Sequence, residues 1–401
     1  MSHEKQQEHW IKGFYRETQF QETPIGKIPR DWTINKFSNL VSYVKGKRPR
    51  FLSEDSCDNC LPYLTADYLR SGKPLQFATV ERGAITVEEG DVLLIWDGSN
   101  AGEFFLGKKG ILASTMVKIQ PRKGDLLRSF LYYYVKYKFE QILKASTKGT
   151  GIPHVDNEVL NSLTMPIPPL KEQRGIAEVL STVNNAIETV ERLIEKLERI
   201  KQGLIQELLT KGIGHKEFQE TPIGKIPKEW QVVKLETLFI LKNGERPEVI
   251  REDGEVPIYG AGFIQGYTDR FMINKEDVII IARVGKGSAG KVYIASGKMW
   301  ISDNAIYAVP RVNDVYPMYY YYFLQYLHLD RIAVRGAAGG YSLLTQSSLS
   351  NLYVPLPSYD EQKQIASTLK SIDDWIEVEK KRKEKLERLK RGLMDLLLTG
   401  R

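Results

Sequence analysis

The chain has 401 residues, 42% of them hydrophobic and 27% charged, with a formal net charge of +7 and a pI near 9.0. That length accommodates two or three domains, the composition excludes a disordered chain, and the basic excess permits a polyanionic partner without requiring one. No apolar run reaches the ~18 residues of a membrane-spanning helix, and the N-terminal MSHEKQQEHW lacks the apolar centre of a secretory signal, so a cytoplasmic protein with no membrane association is expected.

After that polar arm comes Phe20-Gln-Glu-Thr-Pro-Ile-Gly-Lys-Ile-Pro-Arg-Asp-Trp32, which recurs as Phe218-Gln-Glu-Thr-Pro-Ile-Gly-Lys-Ile-Pro-Lys-Glu-Trp230. Eleven of thirteen positions are identical, at an offset of 198 (230 − 32). An internal repeat organises the chain and is the first thing to establish. At the same offset, Gly46-Lys-Arg-Pro49 answers Gly244-Glu-Arg-Pro247, a motif whose glycine and proline also suit a plain turn. Between them lies the only cysteine pair, Cys57 and Cys60. No nearby histidine or second pair completes the four ligands of structural zinc, and the reading is a surface loop with reduced thiols.

Further along, Gly90-Asp-Val-Leu-Leu-Ile95 corresponds to Glu276-Asp-Val-Ile-Ile-Ile281. Each apolar run leads into a glycine-rich turn (Asp97–Gly102, Val284–Gly290) and then a second apolar run, which predicts strand–turn–strand in both copies. Tyrosine-rich stretches at Phe130–Val135 and Tyr319–Leu324 predict helices, followed by glycine loops at Lys148–Gly151 and Gly336–Gly340. Each copy closes on a strand with a proline exit, Leu163–Leu170 and Leu352–Pro357.

From Pro168 to Thr210 the pattern changes. Apolar residues fall at Ile176, Leu180, Val183, Ile187, Val190, Ile194, Leu197, Leu204 and Leu208, in steps of four and three broken where Lys201 takes a seam position. That heptad seam predicts one long helix, roughly 60 Å of rod, packed on another helix. Its opening Glu172-Gln173 and Ile176-Ala177 return as Glu361-Gln362 and Ile365-Ala366, and Leu197–Gly203 returns as Leu386–Gly392, all at an offset of 189. The helices therefore match in length while the second globular part is shorter by nine (198 − 189). Insertions are tolerated in loops but break a helical seam. The simplest pairing is of the two helices with each other, antiparallel, with the globular parts at opposite ends and the C-terminus near the N-terminal arm. Glu379 and Lys383 stand where the first helix has Val190 and Ile194. They either fix register or mark a place where the helices splay. Lys201, Arg382, Lys383 and Arg388 otherwise read as solvated faces.

The expected fold class is α+β: two globular α/β parts separated by a long antiparallel two-helix coiled coil, with internal pseudo-twofold repetition. The expected boundaries are an arm at 1–15, globular parts at 16–169 and 214–357, and helices at 170–213 and 358–401.

Catalytic motifs are missing. Of His3, His9, His154, His215 and His328, only His154 and His328 are placed inside the globular parts, and neither is matched in the other copy. There is no H-E-x-x-H, no aspartate cluster with metal spacing and no S-adenosylmethionine loop. Gly285-Lys-Gly-Ser-Ala-Gly290-Lys291 approaches a P-loop, but Val292 follows the lysine and the next segment reads as a strand, where phosphate cradling needs a helix N-terminus. Basic and small polar residues on the loops suit phosphate contact and base reading. The candidates are Lys45, Lys47, Arg48, Arg50, Ser99, Asn100, Lys148 and His154 in the first copy, and Arg246, Arg283, Lys286, Ser288, Lys291, Arg335 and Tyr341 in the second. Each taken singly is equally well a solvated surface residue.

The layout resembles the DNA-specificity subunits of type I restriction–modification systems. The residues that carry the resemblance are the Pro-Ile-Gly-x-Ile-Pro-x-x-Trp openings ending at Trp32 and Trp230, the Asp-Val segments at Asp91 and Asp277, and Pro168-Pro-Leu-x-Glu-Gln-x-x-Ile-Ala177, with a second copy that departs before Glu361-Gln362. The resemblance spans nearly the whole chain. It implies that each globular part is a target recognition domain reading half of a bipartite, asymmetric double-stranded DNA site, and that the coiled coil sets the gap. It also implies that two modification (methyltransferase) subunits and the restriction (motor and nuclease) subunits are the protein partners. This chain would then be non-catalytic and hold no cofactor or metal, with S-adenosylmethionine, ATP and magnesium on the partners. The alternatives are a coiled-coil adaptor that binds no DNA, and a fused methyltransferase or nuclease, which S-adenosylmethionine binding by the isolated chain would favour.

Overall fold

The computed structural model describes residues 19–148, 152–285, 287–332, 334–335 and 342–400, with only the backbone of Val334, Arg335 and Ser342. The chain divides into two compact units: residues up to Thr189 together with Lys383 to the C-terminus, and Val190–Arg382. Each long helix contributes residues to both units.

The first unit is built on a four-stranded antiparallel sheet: β1 (Val41–Lys45), β2 (Val92–Ile95), β3 (Phe104–Leu106) and β4 (Met116–Pro121), in the spatial order β3-β2-β4-β1. The second unit repeats these four strands within a six-stranded sheet, as β5 (Phe239–Asn243), β6 (Ile273–Ala282), β7 (Val292–Ile301) and β8 (Ala305–Pro310), in the order β7-β6-β8-β5, with Val256–Gly260 and Phe263–Thr268 added beyond β7. The predicted strand–turn–strand units are therefore β2–β3 and β6–β7. β2 and the Val278–Ala282 half of β6 are apolar and buried on both faces, as central strands covered on both sides must be. The tyrosine-rich stretches form α1 (Arg128–Tyr134) in the first unit and α3 (Pro317–Tyr326) in the second, burying Tyr133 and Tyr134, and Tyr319, Tyr320 and Tyr322.

The seam helix is α2, Leu170–Lys211, and its repeat is α4, Tyr359–Leu397. Pro169 stands just outside α2, and its carbonyl accepts from the Glu172 and Gln173 amides. Both helices are anchored by the repeated Glu-Gln. Gln173 is fully buried: its amide donates to the carbonyls of Asp125 (2.8 Å) and Pro168 (2.9 Å) and accepts from the Leu127 amide (2.8 Å). Gln362 does the same with Asp314 (3.0 Å), Pro357 (3.0 Å) and the Tyr316 amide (2.8 Å). Beside them, the indoles of the buried Trp32 and Trp230 donate to Glu172 and Glu361, each at 2.9 Å.

Within the second unit the helices run antiparallel, with Glu198 paired to Lys380 and Lys201 to Asp373. In the first unit, Lys390 donates to Asn184. Ile176, Leu180, Ile187, Val190, Ile194 and Leu197 are buried as the heptad predicts. The seam then shifts: Ile205 and Leu209 are buried while Leu204 and Leu208 are only partly so. After six heptad-like steps, a straight helix of 3.6 residues per turn has rotated enough to present the next residue. Lys201 is not a solvated side chain either. It is four-fifths buried against Asp373, with the Tyr322 ring 5.7 Å away. Glu379 is buried too, with Arg382 beside it at 3.5 Å.

Helix ends close each unit. Gly212 follows α2 with a left-handed φ of 64°, and a Cβ there would strike Glu361 and Trp230. After α4, Gly400 (φ 69°) packs against Pro29 and Trp32, and Met394 and Leu398 join the first unit's core. The chain end thus meets the first repeat, while the arm at 1–15 lies outside the described residues.

Two readings of the sequence need correction. His215, not counted among the histidines of the globular parts although the expected boundary at 214 includes it, lies in the second unit between Glu361 (2.8 Å) and Glu229 (3.0 Å), edge-on to Trp230. Cys57 and Cys60 are joined as a disulfide, not reduced. A turn in which the Cys60 amide donates to the Cys57 carbonyl, with Asn59 at a positive φ of 59°, brings their Cα atoms to 5.2 Å. That separation suits a disulfide, and spacing alone did not reveal the turn.

Replacing Gln362 with Glu keeps the volume but turns two donors toward carbonyls into acceptors. The second unit is expected to lose about 2–4 kcal/mol at pH 7. The loss should shrink at lower pH, because a carboxyl disfavoured as an anion folds best when protonated. Thermal unfolding of the full chain at two pH values measures it, and an unchanged pH 7 transition would contradict the anchoring role.

Candidate nucleic-acid interface

In an antiparallel sheet, the C-terminal end of one strand lies beside the N-terminal start of its neighbour. In the first unit the ends of β1 and β2 and the start of β4 therefore share one edge, where Lys45 pairs with Val117 and Ile95 with Met116. The segments that leave this edge are Gly46–Arg50, Trp96–Asn100 and Ser114–Thr115. His154 joins them by bridging to both Asp97 and Lys148. A shallow pocket of about 430 Å³ is lined by Asp97, Gly98, Ser114, Thr115, Ile152 and His154.

The second unit has the same edge. The Gly46 amide donates to the Met116 carbonyl (2.9 Å), and the Gly244 amide to Ala305 (3.0 Å). The Trp96 amide donates to Thr115 (2.8 Å), and the Arg283 amide to Asn304 (2.9 Å). The carbonyl of Trp96 accepts from Val155 (2.9 Å), and that of Arg283 from Leu344 (2.8 Å). Position by position, Trp96 corresponds to Arg283, Thr115 to Asn304 and Val155 to Leu344. The repeated glycine of Gly-x-Arg-Pro is explained by close approach: a Cβ on Gly46 would sit 2.0 Å from the Ala113 carbonyl oxygen, and one on Gly244 2.2 Å from that of Ser302. The reading of this motif as a plain turn understates it, because its glycine lets the chain cross the sheet edge.

The candidate residues separate by what holds them. Lys45 is paired with Asp97 at 2.5 Å and lies over the Trp96 ring. Lys148 is paired with Asp156 at 2.7 Å. That hydrogen bond raises the lysine's pKa and holds the Asp156 carboxyl below its ordinary value, helped by the amides of Glu158 and Val159. Lys47, Arg48 and Arg50 are exposed, with no carboxylate against their side chains among the described residues, and Ser99 and Asn100 are exposed on the β2–β3 turn. In the second unit Arg246 and Lys291 are likewise exposed, whereas Arg283 and Ser288 are half-buried. Lys286 and Tyr341 lie outside the described residues, as does the side chain of Arg335, whose backbone pairs with Ser342. Trp96, Asp97 and Asn304, central to this edge, were not among the sequence candidates. They are placed by pairing across the sheet, which no local motif records.

The near-P-loop is a hairpin. Gly285 and Gly290 lie between the antiparallel β6 and β7, and Lys291 leads into a strand rather than a helix, so the strand–loop–helix order of a P-loop is not met. Among the described residues, no group of three histidine, cysteine or acidic side chains has metal-binding geometry, and no helix is long and apolar enough to cross a membrane.

The chain is thus a duplicated α/β unit whose matching sheet edges carry unlike side chains, with two long helices that each contribute to both units. The chain belongs to the type I restriction modification DNA specificity domain family, whose sequence profile matches residues 29–199 and 227–388. It is 35% identical to the type I restriction enzyme MjaVIII specificity subunit of Methanocaldococcus jannaschii, over 98% of this chain and 97% of that protein. Its fold is similar to that of the type I restriction–modification S subunit of M. genitalium, with a TM-score of 0.68 and 19% identity over 92% of this chain and 96% of that one. The chain is a specificity subunit of a type I restriction–modification system, its non-catalytic component.

Gly46→Ala is expected to destabilise the first unit by about 1–3 kcal/mol through forced backbone movement. Gly124→Ala, where a Cβ meets nothing within 4 Å, serves as the control. Equal melting temperatures for the two variants would show that the crossing at Gly46 is not tight.

Proposed function

We propose that each unit reads one half of a bipartite double-stranded DNA site through the sheet edge just described, and that the paired helices set the spacer between the halves. The observation that carries this reading is the repetition of one backbone framework with different side chains at its edge. A scaffold used twice with different readers suits an asymmetric site with unlike half-sites. Exposed Lys47, Arg48 and Arg50 in one unit and Arg246 and Lys291 in the other serve phosphates, while residues pinned to the sheet, with His154, Ser99, Asn100 and Ser288 nearby, face base edges. Lys286, Arg335 and Tyr341 remain candidates for DNA contact from the sequence alone. Lys45 and Lys148, each held by a carboxylate, contribute less to phosphate binding.

The helices would also dock two modification subunits, with restriction subunits completing the assembly. S-adenosylmethionine, ATP and magnesium would be bound by those partners, in the cytoplasm. On this reading the working domains are an arm at 1–15, recognition domains at 16–169 and 214–357, and spacer helices at 170–213 and 358–401.

The ruler is tested by deleting one heptad from both helices, seven residues from each. Seven helical residues rise about 10 Å, roughly three base pairs. Methylome sequencing of a host carrying the variant system should show a spacer about three base pairs shorter and both half-sites unchanged. Altered half-sites would mean that readers and ruler are not separate.

Phosphate contact is tested with the assembled modification complex and duplex DNA over a salt titration. Affinity should fall steeply with salt. Lys47→Ala, Arg48→Ala or Arg246→Ala should each lower the slope of log K against log salt by about one, because each phosphate contact releases about one counterion. Lys148→Ala should leave it unchanged. A wild-type complex with no sequence-selective binding would instead favour a protein-only adaptor.

A further inference from the structure

We propose that Arg283 is a specificity-determining residue of the second unit, its guanidinium reading a guanine in one half-site, and that Trp96 fills the equivalent slot in the first unit without that readout. The assignment rests on the two-reader function proposed above and deepens it, starting from the equivalence of Trp96 and Arg283 in the two backbone frameworks.

Three observations carry the assignment. First, the Arg283 backbone is held on both sides, its amide by Asn304 and its carbonyl by Leu344, and the preceding Ala282 is bonded to Lys291 and Gly290. A residue that discriminates bases must hold its Cα in a fixed place, whereas a phosphate contact tolerates a mobile one. Arg283 directly follows β6 and is held at the sheet's end, whereas Arg246 and Lys291 are exposed and suit the phosphates.

Second, the guanidinium is poorly satisfied. Its Nε is buried with no hydrogen-bond partner among the described residues, and its only hydrogen bond to them is from Nη1 to the Asp303 carbonyl at 3.5 Å, the outer limit of such a bond. No described carboxylate pairs with it, in contrast to Lys45 and Lys148 in the first unit. A desolvated donor left unmet is unfavourable, so the guanidinium is not locked where it stands and gains by turning outward to an incoming acceptor. Third, arginine presents two parallel N–H groups in a rigid fork that matches O6 and N7 of guanine in the major groove, and no other base edge offers that pair of acceptors.

Trp96 has a single indole N–H and lies beneath the Lys45 ammonium, which is itself committed to Asp97. The same slot therefore supplies a two-donor fork in one unit and an aromatic edge in the other, which gives the two half-sites different requirements at corresponding positions.

The test uses the assembled modification complex and a duplex library randomised within each half-site in turn, the wild-type site having first been read from the host methylome. For both Arg283→Lys and Arg283→Ala, discrimination at one G·C pair in one half-site should fall about 10- to 100-fold. The other half-site, the spacer and the salt slope of the lysine variant should stay as in wild type. The lysine variant is decisive, because it keeps the charge and loses only the fork. Wild-type discrimination by that variant would overturn the proposal. So would uniform weakening across all sequences, or relaxation in both half-sites. Should the alanine variant fail to assemble, the lysine variant alone decides between these outcomes. A wild-type complex with no sequence preference would sink the DNA-reading function itself, a failure visible before any variant is compared.

Discussion

The buried glutamine at the start of each long helix is the constraint on which the rest depends. Two backbone carbonyls and one backbone amide converge at Gln173, and again at Gln362, in places closed to water. Only a side chain with two donors and one acceptor at fixed spacing satisfies all three. Alanine would leave three buried groups unmet, and glutamate would set charge against two carbonyls. The neighbouring Glu172 and Glu361 stand in the helix's first turn, where the aligned peptide dipoles favour negative charge, and each takes the indole proton of a buried tryptophan. The direction in which a helix leaves its own unit is thus set by hydrogen bonds, which are more directional than apolar packing. Glu361 also accepts from the Ile213 amide and meets His215.

With that base secured twice, the outer edge is free to differ. The backbone bonds that hold position 96 in one unit and 283 in the other differ in length by 0.1 Å (2.8 and 2.9 against 2.9 and 2.8). The side chains they display share nothing. Tryptophan stands where the other unit has arginine, and Lys45 with its Asp97 partner stands where the other unit has Asn243 and Val284. Trp96 and Arg283 are both half-buried, and the exchange is tolerated because the backbone bonds that hold the two positions do not depend on side-chain identity. The close crossings at Gly46 and Gly244 lie on the other side of that division: they cannot vary, because no Cβ fits.

Legibility in the sequence divides along the same line. Anything periodic or duplicated could be read directly: the two units, the strand–turn–strand pairs, the tyrosine helices, the long helices and their equal length. Those features repeat along the chain, and hydrophobic spacing reports them. Features made by partners distant in sequence could not be read. Lys201 looked solvated because Asp373 is 172 positions away (373 − 201). His215 looked like linker because Glu361 gives it its place. Most of the candidate cations do fall on one sheet edge of their unit, since loops that follow strands collect there. Which of them were already neutralised by carboxylates, and which sheet-held residues stood between them, depended on pairings invisible to any local motif. The shift from Leu204 and Leu208 to Ile205 and Leu209 has a different origin: a heptad count assumes a supercoil that a straight helix does not keep.

The polar residues of the seam can now be given a physical role. At the repeat's offset of 189, Lys201 corresponds to Lys390, Asp373 to Asn184 and Tyr322 to Tyr133. In the second unit Lys201 meets Asp373, which also accepts from the Tyr322 hydroxyl at 2.8 Å; in the first, Lys390 donates to Asn184 at 2.6 Å. The same crossing therefore occurs twice, once as an ion pair and once as a charge-to-amide bond. A partly buried ion pair adds little net stability, because desolvation offsets attraction. Its effect on alternatives is larger: sliding one helix along the other by a heptad would leave a lysine and an aspartate among apolar neighbours, each unpaired. Apolar seam residues are nearly interchangeable and tolerate such a slip, so register must come from the polar ones. Glu379, buried with one oxygen lacking a hydrogen bond, makes the seam costlier without helping it choose. The lysine crossings favour a single register of the two long helices, which the spacer proposed for them would require.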